Sequence, residues 1–262
     1  MRLSASNIAW TKEYDEKMYT FLKEEGIEGL EIAPTRIFPE KPYERLKEAA
    51  DFADTIKGKY CLTIPSMQSI WFGRKENIFS SEKERETLLS YTKQAIDFAA
   101  AAGCKNLVFG CPRNRAYQEG DNLAAVVPFF KELGDYAAEN GTVLAMEANP
   151  PIYNTNYCNS TTEAISLIKE VDSKGFLLNL DVGTMIQNGE ELCVLNDAAP
   201  YINHIHISEP GLAPVLERSL HIELAELLKE TGYQGYVSLE IKTQEDIAVV
   251  KKQIEYIKEI FR

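Results

Sequence analysis

No CxxC pair occurs among the five cysteines, and their number is odd. That pattern excludes a disulfide framework and a structural zinc site. Cys61, Cys104, Cys111, Cys158 and Cys193 read instead as small residues of a protein kept in the reducing cytoplasm. No run of 18 apolar residues exists, so no membrane-spanning helix is expected. The opening segment MRLSASNIAW lacks the apolar stretch of a signal peptide. No basic run exceeds two residues, and Asp plus Glu outnumber Lys plus Arg by 40 to 28, for a net charge of −12. Such a surface repels nucleic acid and anionic membranes and favours solubility. The Gly-rich phosphate loop of a doubly wound open sheet is also missing after the first strand.

What is present is a regular alternation of short β-type runs and amphipathic helical stretches. Strands are predicted at Arg2–Asn7, Gly29–Ala33, Tyr60–Ile64, Asn106–Phe109, Thr142–Glu147, Phe176–Asp181, Ile202–Ile207 and Tyr236–Ile241. Helices are predicted at Tyr14–Glu25, Pro42–Lys57, Glu82–Ala102, Leu123–Asn140, Thr161–Val171, Glu190–Asp197, Leu220–Thr231 and Gln244–Ile260. Several of these helices are followed at once by glycine, as at Gly26, Gly103, Gly141 and Gly232. The alternation implies a parallel sheet. Eight βα units in 262 residues imply a single (β/α)8-barrel domain over residues 1–262. A chain that is 45% hydrophobic can fill such a core.

Barrel enzymes place their chemistry at the carboxyl ends of the strands. Here the last four predicted strands read VLAMEANP, FLLNLDVG, INHIHISEP and YVSLEIK. They carry Glu147, Asp181, His206 and Glu240 at their ends, each after an apolar run. One glutamate at a strand end is more often a salt-bridge partner than a ligand. Four ionisable groups on consecutive strands of one barrel are costly to bury unless a cation pairs with them. Three carboxylates and one imidazole form a hard, oxygen-rich set for one divalent ion. Mn²⁺ suits it best, and Mg²⁺, Co²⁺ or Zn²⁺ are alternatives. His204 shares the strand face of His206 and reads as a core or supporting residue.

At these residues the chain resembles the sugar isomerase/epimerase superfamily of xylose isomerase-like TIM barrels, and ketose 3-epimerases most closely in metal motif. The ordered set E…D…H…E has spacings of 34, 25 and 34 residues. The resemblance implies a metal-dependent isomerase or epimerase acting on a sugar or an anionic sugar derivative. It gives Glu147 and Glu240 a second role as a proton-shuttling pair on opposite faces of the sugar, working through an enediolate. It also implies a homo-oligomer. The chain departs from the epimerase pattern at Tyr153, Thr184 and Leu212, where a substrate glutamate, a histidine and an arginine are usual. An inosose-dehydratase-like lyase and a non-catalytic sugar-binding barrel are the alternatives. The AP endonucleases of the superfamily need a zinc centre rich in histidine, and this chain has three histidines in all.

Further candidates for substrate contact lie in the loops. Arg113 and Arg115 could grip a carboxylate or phosphate with paired hydrogen bonds. Gln68 and Trp71 could form a wall over the sugar. Glu31 could bind hydroxyls or pair with Arg36. Ser208, Glu209, Asn149 and Lys242 lie just beyond strand ends, with Glu209 able to replace the acid missing at Tyr153. Asn7 is a weaker candidate, and His221 reads as a capping or loop residue at the start of a helix.

Overall fold

A computed structural model describes residues 1–196 and 198–262. Seven parallel strands form one curled sheet: β1 (Arg2–Ser6), β2 (Gly29–Glu31), β3 (Leu107–Phe109), β4 (Leu144–Met146), β5 (Phe176–Asp181), β6 (Ile202–Ile207) and β7 (Tyr236–Leu239). Their order is β2-β1-β7-β6-β5-β4-β3, which leaves β2 and β3 at the two edges.

The segment predicted as a strand at Tyr60–Ile64 is not one. Tyr60 ends a helix, and Cys61 takes the left-handed conformation at φ 59°. Pro65 then removes a backbone donor, so no continuous ladder forms. The longer stretch from Thr63 to Gln68 still connects the two edges. Leu30 N donates to Thr63 O at 2.9 Å and Gln68 N to Ile32 O at 2.9 Å on the β2 side. Met67 N donates to Asn106 O at 2.9 Å and Val108 N to Met67 O at 2.8 Å on the β3 side. An irregular stretch therefore stands where an eighth strand was expected.

Helices cover the outside: α1 (Asp15–Glu24), α2 (Pro34–Ile37), α3 (Leu46–Tyr60), α4 (Glu82–Ala101), α5 (Val126–Glu139), α6 (Thr161–Val171), α7 (Val182–Asn188), α8 (Ser219–Glu230) and α9 (Ile247–Phe261). Serine caps open two of them. Ser81 accepts from Glu84 N at the start of α4, and Ser160 from Glu163 N at the start of α6. Between helices and sheet lies an aromatic layer. Phe130 stacks on Phe176 at 4.8 Å and meets Phe109 edge-on at 4.9 Å. None of the described helices is long and apolar enough to cross a membrane.

Sequence reading misplaced one helix. The expected helix at Glu190–Asp197 is only a 3-10 turn at Leu192–Leu195, and Asp197 lies outside the described residues. The real helix is α7, seven residues long, which starts directly after β5. Asp181 caps it, accepting from Gly183 N and Thr184 N, and Gly189 at φ 65° ends it.

Strand pleating sends alternate side chains into the barrel. Ser4 and Ser6, Asn179 and Asp181, and His204 and His206 share this inner face with Ser238, and all are buried. Parallel register lines up Asp181 with His206, His206 with Ser238 and Ser6 with Glu31. The interior is thus unusually polar, and its polar groups converge on the carboxyl ends of the strands.

Candidate active site

Glu147, His206 and Glu240 meet at that end. Glu147 directly follows β4 and still donates its N–H to Phe109 O at 3.1 Å. Glu240 directly follows β7 and donates its N–H to Ile207 O at 3.0 Å. His206 Nδ1 lies 3.0 Å from Glu147 Oε1 and 3.1 Å from Glu240 Oε2. The ligand-type atoms of the three residues lie within 4.8 Å of one another. Asp181 lines the same cleft but stands outside this trio. Its carboxylate is held by Thr184 N at 3.0 Å, by Ser208 Oγ, and by Thr184 Oγ1 at 2.7 Å.

Two sets of buttresses fix these groups. Asn179 Nδ2 donates to Glu147 Oε1 at 2.8 Å, and Asn149 Nδ2 to Glu147 Oε2 at 3.1 Å. Arg115 Nη2 donates in turn to Asn149 Oδ1 at 2.6 Å and to the Glu147 carbonyl at 2.9 Å. Below the trio, His206 Nε2 lies 2.9 Å from Glu31 Oε2, and Gln68 Nε2 donates to Glu31 Oε1 at 3.1 Å.

Above them opens a cleft of about 170 Å³, lined by Gln68, Asn149, Tyr153, Leu212 and the three carboxylates, among others. Gly110 borders it for a steric reason. A Cβ there would stand 2.7 Å from Glu147 Oε2 and 3.3 Å from Asn149 Oδ1. Gly110→Ala should therefore displace the Glu147 carboxylate from its place beside His206 Nδ1. Nitrogen-15 spectra of the His206 ring check this; a ring signal unchanged from wild type would show that the carboxylate has not moved.

Electrostatics follow from burial. Desolvation raises Glu240 to about 7, and the charges of Glu147 and Asp181 add to the rise while His206 opposes it. Desolvation, then Glu147, also raises Asp181. Burial pushes His206 down, but Glu240 and Glu31 outweigh it and hold the imidazole well above its ordinary value. Burial pushes Glu31 up, and the two histidines overcome it, so Glu31 stays well below the usual carboxylate range.

Several of the loop residues proposed from sequence lie elsewhere. Arg115 is fully buried behind Glu147, while Arg113 is exposed on the surface. Both sit on the 3-10 turn Pro112–Arg115, where residues two apart point in different directions, so they form no common grip. Trp71 is 2% exposed and faces the aromatic layer, 4.6 Å from Phe109, with its Nε1 donating to Thr92 Oγ1 at 2.8 Å. Glu209 binds Arg218 through both its oxygens at 2.7 Å, which removes it as the replacement acid. Glu31 does not meet Arg36, which instead pairs with Asp15 at 2.6 Å. Ser208 holds Asp181 and accepts from Gly183 N at 2.9 Å. Lys242 is exposed beyond the end of β7, where alternation no longer directs it inward. Asn7 Oδ1 accepts from Ala33 N at 3.0 Å. His221 lies in α8 against the Tyr256 hydroxyl at 2.9 Å.

Sequence reading did not single out Asn179. Its signal was its place two residues before Asp181 on the same inward face. Tyr153 was noted only as a departure; it lines the cleft, and its hydroxyl accepts from Gly211 N at 2.9 Å. That bond ties the loop after β4 to the loop after β6.

The fold has close counterparts among solved structures. A D-psicose 3-epimerase in the presence of D-fructose superposes with a TM-score of 0.80 at 15% identity, covering 100% of this chain and 99% of that one. The D-psicose 3-epimerase of Clostridium cellulolyticum H10 with D-tagatose gives 0.79 at 14% identity, covering 100% of both chains. The 3-keto-D-glucoside 4-epimerase of E. coli gives 0.76 at 20% identity, covering 99% of each. A search of curated proteins found no match. Residues 19–260 match the family described as xylose isomerase-like TIM barrel. That match spans nearly the whole chain, and the chain belongs to this family.

Proposed function

We propose that this protein is a divalent-metal-dependent isomerase or epimerase of a sugar, with Glu147 and Glu240 as its proton-transfer pair and Glu147, Asp181, His206 and Glu240 as its metal ligands. One observation carries the reading: two buried carboxylates approach the same imidazole nitrogen at 3.0 and 3.1 Å on the floor of a sugar-sized cleft. The donor set fits a hard cation. An octahedral ion with bonds of about 2.1 Å has neighbouring ligand atoms about 3.0 Å apart, and these distances match that edge. Three carboxylates around one imidazole also lack any Lys or Arg partner among their contacts, so a cation would supply the missing charge. Asp181 already accepts from Gly183 N, Ser208 Oγ, Thr184 N and Thr184 Oγ1, so it would join the set by giving up one of these hydrogen bonds, with the Thr184 hydroxyl free to donate to Ala148 O instead.

When bound, the ion would polarise the substrate carbonyl and offset negative charge building on the sugar oxygens. The chain's own groups do the rest. Glu240 is held near neutrality, the range in which a carboxylate both takes and returns a proton efficiently. Glu147 is pinned by Asn179 and Asn149, which fixes the oxygen that faces the reacting carbon. Tyr153 and Leu212 line the cleft and would limit water there. The likeness to D-psicose and 3-keto-D-glucoside epimerases supports a polyhydroxylated carbonyl substrate. Five free thiols support a reducing compartment such as the cytoplasm.

Incubation of the Mn²⁺-loaded protein in D₂O with D-psicose, D-fructose, D-tagatose and a 3-keto-glucoside tests the assignment. Deuterium should enter at a carbon next to the carbonyl of at least one sugar, read by NMR. A Mn²⁺-binding protein that exchanges none of them would point to the non-catalytic sugar-binding barrel. Loss of water without isomer formation would point to the lyase.

A further inference from the structure

Glu31 is fully buried inside the barrel, at the opposite ring nitrogen of His206 from Glu147 and Glu240. No Lys or Arg reaches it among the described residues. Its contacts are Gln68 Nε2 at 3.1 Å on Oε1, and His206 Nε2 at 2.9 Å and His204 Nε2 at 3.1 Å on Oε2. Gln68 is itself anchored by donating to Ser6 Oγ at 2.8 Å. A buried carboxylate is tolerated only where donors face it. The hydrogen-bonding groups here are the Gln68 amide and the His206 imidazole, while His204 Nε2 approaches Glu31 without a hydrogen bond.

His206 thus has a carboxylate at each end. Nε2 faces Glu31, and Nδ1 faces Glu147 and Glu240. An imidazole with one proton must choose between its nitrogens, and its other hydrogen bond decides which. Glu31 is the acceptor that sequence reading had placed in the substrate site; its position behind the histidine gives it a different task.

We propose that Glu31 is the positioning residue of the cation site: it accepts the Nε2–H of His206, so that the Nδ1 lone pair points between Glu147 and Glu240. Ser6 and Gln68 hold Glu31 in register, and the perpendicular ring of His204, 89° from that of His206, packs against the pair from below. A ligand imidazole braced in this way is more basic and loses less orientational freedom on binding. This inference rests on the metal reading above and extends it to a residue that touches neither cation nor sugar.

The test uses Mn²⁺ alone as probe. Free Mn²⁺ is followed by electron paramagnetic resonance while wild type, Glu31→Gln and Gln68→Leu are titrated, with thermal unfolding of each metal-free protein as the control for folding. Glu31→Gln should keep its fold and bind Mn²⁺ about 10- to 100-fold more weakly, the usual effect of removing such a brace. Gln68→Leu should weaken binding less. Folded Glu31→Gln with wild-type affinity overturns the inference and leaves the metal site standing. A wild-type protein that binds no Mn²⁺ overturns the metal reading and the inference with it. A second measurement needs no variant. Nitrogen-15 spectra of the Zn²⁺-loaded wild type should show His206 protonated on Nε2, and a proton on Nδ1 overturns the proposal.

Discussion

Glu240→Gln should lower turnover at saturating Mn²⁺ by about a thousandfold or more, within the range for losing a positioned acid–base group. The amide keeps the size of the side chain but cannot take up a proton. Burial holds the Glu240 carboxyl at about 7, so at neutral pH it divides its time between the acid and base forms that the reaction needs. Glu147→Gln should cost a comparable factor, because the two carboxylates flank a single cleft and neither can do the work of the other on the opposite face of a sugar. Deuterium exchange separates this from simple loss of metal. In a two-base reaction each variant retains one base, so one epimer still exchanges its proton and the other does not. Full activity in Glu240→Gln would sink the proton-transfer role. Failure of both variants to bind Mn²⁺ at millimolar concentration would show that they act as ligands first.

Much of this site was legible because strand alternation is a simple rule. Glu147, Asp181, His206 and Glu240 each follow an apolar run, and each faces the same cleft or its floor. What alternation could not supply was how the loops turn. Arg115 looked like a substrate clamp beside Arg113, but a 3-10 turn begun at Pro112 drives it inward to Asn149 and the Glu147 carbonyl. Glu209 looked available until the chain folded back nine residues later and brought Arg218 to it. Trp71 follows a backbone reversal at Ser69, where φ is 55°, and its ring enters the aromatic layer. The missing strand at Tyr60–Ile64 has the same lesson. Its Thr63 does reach the β2 edge, the β3 edge is met only later by Met67, and one proline between them prevented a ladder. Glu31 was noticed for the right reason, an acid at a strand end, and assigned the wrong partner. Its partners come from β6 and from the irregular segment, contacts that no local pattern encodes.

Mn²⁺ should raise the unfolding temperature by roughly 10 °C at pH 8 and by less than half of that at pH 6. A ligand at a thousand times its dissociation constant stabilises a fold by about 4 kcal/mol, and each kcal/mol is worth about 2–4 °C in a chain of this size. The pH dependence comes from the protons that the cation must replace. In the metal-free protein Glu240 is raised to about 7 by burial first and by Glu147 and Asp181 next, and His206 lies well above its ordinary value. Both groups therefore bind protons more tightly folded than unfolded. Their contribution to metal-free stability is full below their unfolded values and is lost as pH rises through their folded ones. Cation binding runs the other way, because His206 and Glu240 must give up those protons to act as ligands. Raising the pH thus weakens the metal-free protein and strengthens the loaded one, and the gap between them widens. Thermal unfolding at pH 6, 7 and 8, with Mn²⁺ and with a chelator, measures that gap directly. A gap that stays constant across this range would mean that His206 and Glu240 exchange no protons for the ion, and the site would have to be built from other groups.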